Sequence, residues 1–170
     1  IRDLTTAEIA IKASLTGHLV LSTLHTNDAP STIGRLLNMG IEPFLVASSI
    51  NLVVAQRLIR KNCPVCREPV ELNNDVLKEL GIEEEASECI FYKGKGCPEC
   101  GNTGYRGRIA VYEVMPMFEE IKELVLRQAP AAEIKRVAAE LGVWTLRQSA
   151  VARLKQGVTS VEEVFRVTDK

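Results

Sequence analysis

The chain has 170 residues, of which 46% are hydrophobic and 25% charged, and its formal net charge is −1 at pH 7. This length can bury the core of one domain or slightly more, whereas the near-neutral charge argues against nucleic acid as a partner, because a nucleic-acid-binding surface needs a basic excess. No apolar run has the length of a membrane span and no signal peptide is visible, so we expect a cytoplasmic protein.

The first part of the chain predicts helices that alternate with strands. A helix is expected from residue 5 or 6 to about residue 16, where a glycine follows. Residues 18–24 form a nearly unbroken apolar run, which suits a strand covered on both faces, as in a parallel sheet. Further helices are predicted over 28–40 and 44–54. This alternation indicates an α/β fold.

The rest of the chain predicts a cysteine-containing module followed by helices. A short strand at 56–60 leads into this module, which contains an acidic helix at 73–80, and a strand at 109–115 follows it. The predicted C-terminal helices cover 118–127, 131–141, 145–156 and 160–167. We therefore divide the chain into residues 1–62, a module at 63–104, and a strand with a helical subdomain at 105–170.

Four of the five cysteines form two pairs, Cys63 with Cys66 and Cys97 with Cys100, separated by thirty residues. Two residues between ligands allow a tight turn to direct both thiolates at one tetrahedral ion, and four thiolates leave no open position on it. We therefore predict a structural zinc site. The alternatives are two unlinked reduced pairs or a redox pair. Cys89 is predicted to be a small buried hydrophobic residue and not a ligand.

His25 directly follows the predicted strand at 18–24. Because ligands in open α/β sheets collect beyond the carboxyl ends of strands, His25 is a candidate ligand contact. The alternative is a histidine that caps the turn or helix that follows. His18 lies at the opposite end of the strand and is expected to pack there.

Several short motifs occur in a fixed order along the whole chain. They are Arg2-Asp3, Thr16-Gly17-His18, Leu24-His25-Thr26-Asn27-Asp28, Gln56-Arg57-Leu58, the two cysteine pairs, Gly104-Tyr105-Arg106-Gly107-Arg108 and Gly157-Val158-Thr159-Ser160. This set closely resembles the secretion ATPase superfamily. Within that superfamily, it is similar to the ATPases that drive type II secretion and type IV pilus assembly.

The resemblance implies roles for His25 and Asp3, and the chemistry of a third residue, Arg57, makes it a further candidate. The segment that contains His25 is similar to the family's His box, whose histidine lies near the γ-phosphate of ATP and senses it. Arg2-Asp3 is similar to the end of the Walker B motif, so Asp3 is a candidate water-orienting or metal-shell carboxylate, with a helix N-cap as the alternative. The planar guanidinium of Arg57 suits either a nucleotide phosphate or a surface salt bridge.

The resemblance also implies a fold and a set of partners. The fold is the C-terminal part of a RecA-like P-loop NTPase domain, with an inserted four-cysteine module that binds Zn²⁺ and a C-terminal helical bundle. The implied assembly is a hexamer of identical subunits that hydrolyses ATP with Mg²⁺ and acts on a platform protein of the inner membrane. No Gly-x-x-x-x-Gly-Lys-Ser/Thr sequence occurs in the chain, so we expect the phosphate loop and the catalytic glutamate to lie outside it and the chain alone to be inactive.

Two segments bear on which process the ATPase drives. Residues 27–32 and 112–116 are more similar to pilus-assembly ATPases than to type II secretion ATPases. Pilin polymerisation is therefore the predicted function, and type II secretion is the alternative within the family. The alternative of another class is a zinc-stabilised interaction module without catalysis, such as an adaptor or a nucleic-acid binder, which the near-neutral charge weakens.

Overall fold

The computed structural model describes residues 1–168, which contain eight α-helices and four strands. The helices are α1 (Leu4–Leu15), α2 (Ala29–Asn38), α3 (Pro43–Ser49), α4 (Asn74–Leu80), α5 (Glu119–Leu126), α6 (Ala131–Glu140), α7 (Leu146–Lys155) and α8 (Val161–Thr168). The strands are β1 (Leu52–Asn62), β2 (Arg67–Val70), β3 (Phe91–Gly94) and β4 (Tyr105–Pro116). Within the described range, none of the helices combines the length and the apolar character needed to cross a membrane.

The predicted helices are confirmed to within a few residues, with α3 as the exception. Side-chain caps begin α1 and α2, because Asp3 accepts a hydrogen bond from the Thr6 N–H at 2.9 Å and Asp28 accepts one from the Ser31 N–H at 2.8 Å. The predicted third helix is too long, since α3 ends at Ser49 and β1 begins at Leu52. β-Branched valines at 53 and 54 favour the strand.

The predicted strand over residues 18–24 is wrong, because the structure gives this segment no regular secondary structure. Leu19 and Leu21 are 84% and 86% exposed, so the apolar run is not covered on both faces. A strand needs a neighbour to pair its N–H and C=O groups. The described strands pair only as β1 with β4 and β2 with β3, which leaves this segment without a partner among residues 1–168.

The two short strands β2 and β3 were not predicted from the sequence. They pair antiparallel, with Arg67 opposite Gly94 and Val70 opposite Phe91. At four residues each they are too short to show a clear alternation of apolar and polar residues. Their pairing brings the two ends of the cysteine module together.

The chain forms two compact units, one of residues 1–55 and 113–145 and one from 56–112 and 146 onward. This division differs from the three sequence segments, because α5 and α6 belong to the first unit while α7 and α8 belong to the second. In the first unit α5 packs against α3, and α6 packs against α2. Its core is apolar and includes Ile33, Val46, Met115, Ile121 and Val125.

Candidate functional site

The four paired cysteines converge in the second unit. Cys63 and Cys66 lie in the turn between β1 and β2, and Cys97 and Cys100 bound a short 3₁₀ turn that precedes β4. The Sγ atoms of Cys63 and Cys97 are 3.9 Å apart, as are those of Cys66 and Cys100. All four sulfur atoms lie within 4.8 Å of one another.

These distances fit one tetrahedral metal ion. Zinc–sulfur bonds of about 2.3 Å in a tetrahedral site place the sulfurs about 3.8 Å apart, and the Sγ atoms of Cys97 and Cys100 are 3.7 Å apart. The prediction that the two pairs form one cluster is confirmed. Cys89 lies outside the cluster, and it is half-buried, so it is less buried than predicted.

Backbone N–H groups surround one of the sulfurs. The N–H groups of Cys97 and Gly104 each donate to the Cys100 Sγ at 3.2 Å. Burial acts to raise the pKa of Cys100, but these donors, together with hydrogen bonds from the side chains of Cys97 and Cys66, outweigh burial and lower the pKa to about 6. At Cys66, burial prevails and raises the pKa to about 12. The turn after Cys100 is therefore built to stabilise a thiolate, which is the form that binds a metal.

Two glycines close the module where β3 ends and β4 is about to begin. A Cβ atom on Gly94 would overlap the Gly104 carbonyl group, and one on Gly104, whose φ is +77°, would overlap the Gly94 carbonyl group. The Gly104 carbonyl also accepts a hydrogen bond from the Cys63 N–H at 2.9 Å. This close backbone approach requires glycine at both positions and connects the two cysteine pairs.

Asn62 anchors the module from the residue before Cys63, a role that the sequence analysis missed. Its buried Nδ2 donates to the carbonyls of Tyr92 at 3.0 Å, Thr159 at 2.9 Å and Gly157 at 3.3 Å. It thereby links β1 to β3 and to the α7–α8 turn. Asparagine is frequent in turns, so its type and position carried no signal for this contact.

The candidate ATP-site residues Asp3 and His25 both lie in the first unit. The Ile1 amino group donates to the Thr23 carbonyl at 2.7 Å, so the N-terminal segment lies beside the segment that carries His25. His25 is exposed in the loop before α2. His18 is also exposed, with its Nδ1 3.2 Å from the Thr16 Oγ1, so its predicted packing at a strand end is wrong for the same reason as the strand.

Asp3 adopts the helix N-cap position that the sequence analysis left open as an alternative. Its Oδ1 accepts the Thr6 N–H at 2.9 Å and the Thr6 hydroxyl at 3.0 Å. The N–H bond is the largest cause that lowers the pKa of Asp3. Arg57 lies in the second unit, half-buried on β1.

Glu113 is a buried carboxylate that the sequence analysis did not select. It lies between Val111 and Met115 on the buried face of β4 and accepts the Ala29 N–H at 2.8 Å, at the start of α2. Burial, together with the nearby Asp28 charge, raises the pKa of Glu113 despite this hydrogen bond. The signal in the sequence was a charged residue on an otherwise apolar strand face.

Comparison with known proteins extends over nearly the whole chain. The family model for Type II/IV secretion system protein matches residues 1–166. A type IV pilus assembly ATPase PilB of Myxococcus xanthus is 53% identical over 166 residues, which cover 96% of this chain and 29% of that protein. The type II secretion system ATPase E of Vibrio cholerae is 46% identical over 169 residues, which cover 99% of this chain and 33% of that protein. The chain thus spans about a third of the length of these relatives.

Solved structures show the same fold at lower identity. A pilus retraction motor PilT with bound ADP gives a TM-score of 0.65 at 22% identity and covers 100% of this chain and 38% of that one. The ATPase DotB of Legionella pneumophila gives a TM-score of 0.63 at 19% identity and covers 99% of this chain and 37% of that one. The chain has an α/β fold similar to these ATPases and belongs to the family of Type II/IV secretion system proteins.

Proposed function

We propose that the chain is part of a cytoplasmic ATPase that couples ATP hydrolysis to type IV pilus assembly. The observation that carries this proposal is the 53% identity to a pilus assembly ATPase over 96% of the chain. Type II secretion is the alternative within the family, and 46% identity to a type II secretion ATPase supports it less strongly. A zinc-stabilised interaction module without catalysis remains the alternative of another class.

The proposed fold is the C-terminal part of a RecA-like P-loop NTPase domain. Residues 1–62 would belong to its core, 63–104 would be an inserted zinc module, and 105–170 would add a strand and helices. The similarity to PilT and DotB supports this assignment. ATP and Mg²⁺ would be bound by the complete ATPase, in a hexamer of identical subunits at the inner membrane, where a platform protein is the proposed partner.

The proposed role of His25 is to sense the γ-phosphate. An imidazole N–H that faces a phosphate oxygen forms a charge-assisted hydrogen bond worth about 1.5–3 kcal/mol. That energy is enough to bias a domain between two arrangements. The exposed position of His25 supports the proposal, because the ring is accessible to a ligand.

Asp3 and Arg57 have secondary roles in this proposal. The position of the N-terminal segment beside the segment that carries His25 supports Asp3 as a carboxylate that orients water or lies in a metal shell. The two hydrogen bonds from Thr6 would hold that carboxylate in one orientation. Arg57 would contact the nucleotide, for which its planar guanidinium is suited.

The four-cysteine cluster is proposed to bind one structural Zn²⁺. The separation of its sulfurs and the all-thiolate donor set support zinc, because thiolates in tetrahedral geometry are typical of structural zinc sites. Four protein ligands would complete the coordination sphere and leave no position for substrate. The zinc would therefore stabilise the second unit and take no part in hydrolysis.

Chimaeras of two relatives test the proposed function against its alternatives. The chain would replace the matching residues of the Myxococcus xanthus pilus assembly ATPase, and separately those of the Vibrio cholerae type II ATPase. We expect the first chimaera to restore pili and the second to restore little secretion, with His25→Ala chimaeras expected to restore less than their parents. Restored secretion without pili would favour the type II alternative. Two inactive but folded, zinc-loaded chimaeras would favour the interaction module.

A further inference from the structure

The second unit contains a pocket lined by three arginines, which we call the arginine pocket. Its lining residues are Leu58 and Arg60 of β1, Arg108 of β4 and Arg166 of α8, and its volume is about 390 Å³. The side chains of Arg60 and Arg166 are 41% and 51% exposed, so the pocket opens to solvent. The proposed ATPase function assigns no role to it.

Two of the three arginines are held in place by a buried carboxylate. Glu163 is fully buried, and its Oε2 accepts hydrogen bonds from the Nε of Arg60 at 2.9 Å and the Nε of Arg166 at 2.7 Å. Its Oε1 accepts the Arg60 backbone N–H at 2.7 Å and the Arg166 Nη2 at 2.5 Å. The Arg60 guanidinium also lies 4.1 Å from the ring centroid of Tyr105. Both guanidiniums are therefore pre-oriented, and Glu163 has both oxygens in use.

The third arginine, Arg108, brings a positive charge that no described side chain pairs with. Within residues 1–168, the side chain of Arg108 has no hydrogen-bond or ion-pair partner. Counted over residues 1–168, three guanidiniums and one carboxylate give the pocket a net charge of +2, because Glu163 is the only carboxylate in that range bound to its arginines. An arginine needs an anion of planar or tetrahedral oxygens to use its N–H groups in pairs.

We propose that the arginine pocket binds a dianionic phosphate group. A phosphate monoester carries about −1.5 to −2 charges at neutral pH and three acceptor oxygens, so it matches both the net charge and the free N–H donors of the pocket. A single carboxylate would neutralise only half of the excess charge. The guanidinium fork binds phosphate through two parallel hydrogen bonds, and Arg108 is the residue with its whole fork available.

Calorimetric titration of the 170-residue chain with inorganic phosphate tests the site. Arg108→Gln is expected to weaken binding at least ~tenfold, which corresponds to about 1.4 kcal/mol. Arg108→Lys should give an intermediate loss, because it keeps the charge and loses the fork. Arg136→Gln is the matched control. It removes the same charge from an exposed arginine of the first unit, outside the arginine pocket. Circular dichroism would verify that each variant is folded.

Two results would overturn the proposal. One is the absence of saturable phosphate binding by the folded wild-type chain. The other is equal weakening by Arg108→Gln and Arg136→Gln, which would show that only the net charge of the protein attracts phosphate. A loss confined to the Arg108 variants supports the pocket.

A second arm identifies the source of the phosphate. Vesicles of phosphatidylcholine, with or without phosphatidic acid, are sedimented with the protein. Phosphatidic acid presents the same phosphate monoester as a lipid headgroup. Binding that requires phosphatidic acid, and that is competed by inorganic phosphate and weakened by Arg108→Gln, supports the pocket with a lipid source. Phosphate binding without vesicle binding supports the pocket with a soluble phosphate compound. Vesicle binding that requires phosphatidic acid but is unchanged by Arg108→Gln would contradict binding of the phosphate in the arginine pocket.

Discussion

Glu163 shows how one buried charge is stabilised by its neighbours. Burial acts to raise its pKa, but hydrogen bonds from Arg166 and Arg60 outweigh burial and lower the pKa to about 2, from an ordinary value of 4.5. Because the pKa in the folded state is the lower one, the carboxylate stabilises the fold above about pH 4.5. This contribution is lost as pH falls toward 2.

Substitution of Glu163 by glutamine is therefore expected to be costly and pH-dependent. At neutral pH, Glu163→Gln should lower the free energy of unfolding by about 1.5–3 kcal/mol, the value of hydrogen bonds to a charged group. The difference in the free energy of unfolding between this variant and wild type should decrease as pH falls from about 4.5 toward 2. Urea denaturation across this pH range measures it. Glu140→Gln, which removes an exposed partner of Arg136, is the control and should have little effect. If Glu163→Gln lowered the free energy of unfolding by the same amount at every pH, the interpretation would be contradicted.

His25 permits a second prediction at the scale of a residue. In the full-length protein that we propose to be an ATPase, His25→Ala should reduce turnover while nucleotide binding falls only modestly, because one hydrogen bond is a small part of the affinity for a triphosphate. The decisive measurement is the ratio of ATP affinity to ADP affinity. His18→Ala, which removes the other exposed histidine, should leave this ratio unchanged. An unchanged ratio and normal turnover in His25→Ala would leave His25 as a cap of the following turn.

At the scale of elements, the cysteine module depends on the turns that surround its ligands and on one close backbone approach. β2 and β3 are short, and the helix between them contributes only Leu77 and Leu80 to buried apolar surface. Such a small core supplies little stability without an added cross-link or metal. The module is thus expected to depend on its metal and on its glycines.

Removal of one ligand should release the metal and loosen the module. We expect one zinc per chain by elemental analysis, and Cys97→Ser should lose it, because structural zinc contributes about 10–16 kcal/mol in small modules. Hydrogen exchange should then increase across residues 61–104 and change little in α1–α3. Cys89→Ser is the matched control and should keep the zinc. A metal-free, well-ordered wild-type module with disulfide-bonded cysteines would contradict this prediction.

Gly94 tests the backbone approach that joins the two cysteine pairs. Gly94→Ala should strongly destabilise the module and reduce its metal affinity, because the added Cβ overlaps the Gly104 carbonyl group. In contrast, Gly34→Ala adds a Cβ within α2 with nothing in its way, and should stabilise the chain by about 0.5–1 kcal/mol. Thermal unfolding and a competition assay with a zinc chelator would measure both. Normal zinc affinity in Gly94→Ala would show that the backbones at Gly94 and Gly104 can separate without disturbing the metal site.

At the scale of the whole molecule, catalysis is expected to require more than these residues. The chain contains no Gly-x-x-x-x-Gly-Lys-Ser/Thr sequence, and in P-loop enzymes this loop positions the phosphates and Mg²⁺. The 170-residue chain should therefore show no ATP hydrolysis above background. A steady-state phosphate-release assay with Mg²⁺-ATP measures it, with the full-length ATPase as the positive control. Turnover that persists through repurification would contradict the prediction.

The sequence by itself determined the features that depend on neighbouring residues. Asp28 predicted where α2 begins, because an N-cap bonds to an N–H only three residues away. The start of α1 was expected one or two residues later than it is, since its cap is Asp3. The spacing of Cys63 and Cys66 predicted a metal-binding turn, since two intervening residues fix the geometry of the pair. The order of the short motifs likewise indicated the family before any contact was known.

Only the tertiary structure decided the features that depend on distant residues. The apolar run at 18–24 has the composition of a buried strand, but strand formation needs a partner, and the described chain provides none. Glu113 meets Ala29 across 84 positions, and Glu163 meets Arg60 across 103. No local pattern encodes these contacts, because the burial and the charge around each carboxylate come from elements that are remote in sequence and adjacent only after folding.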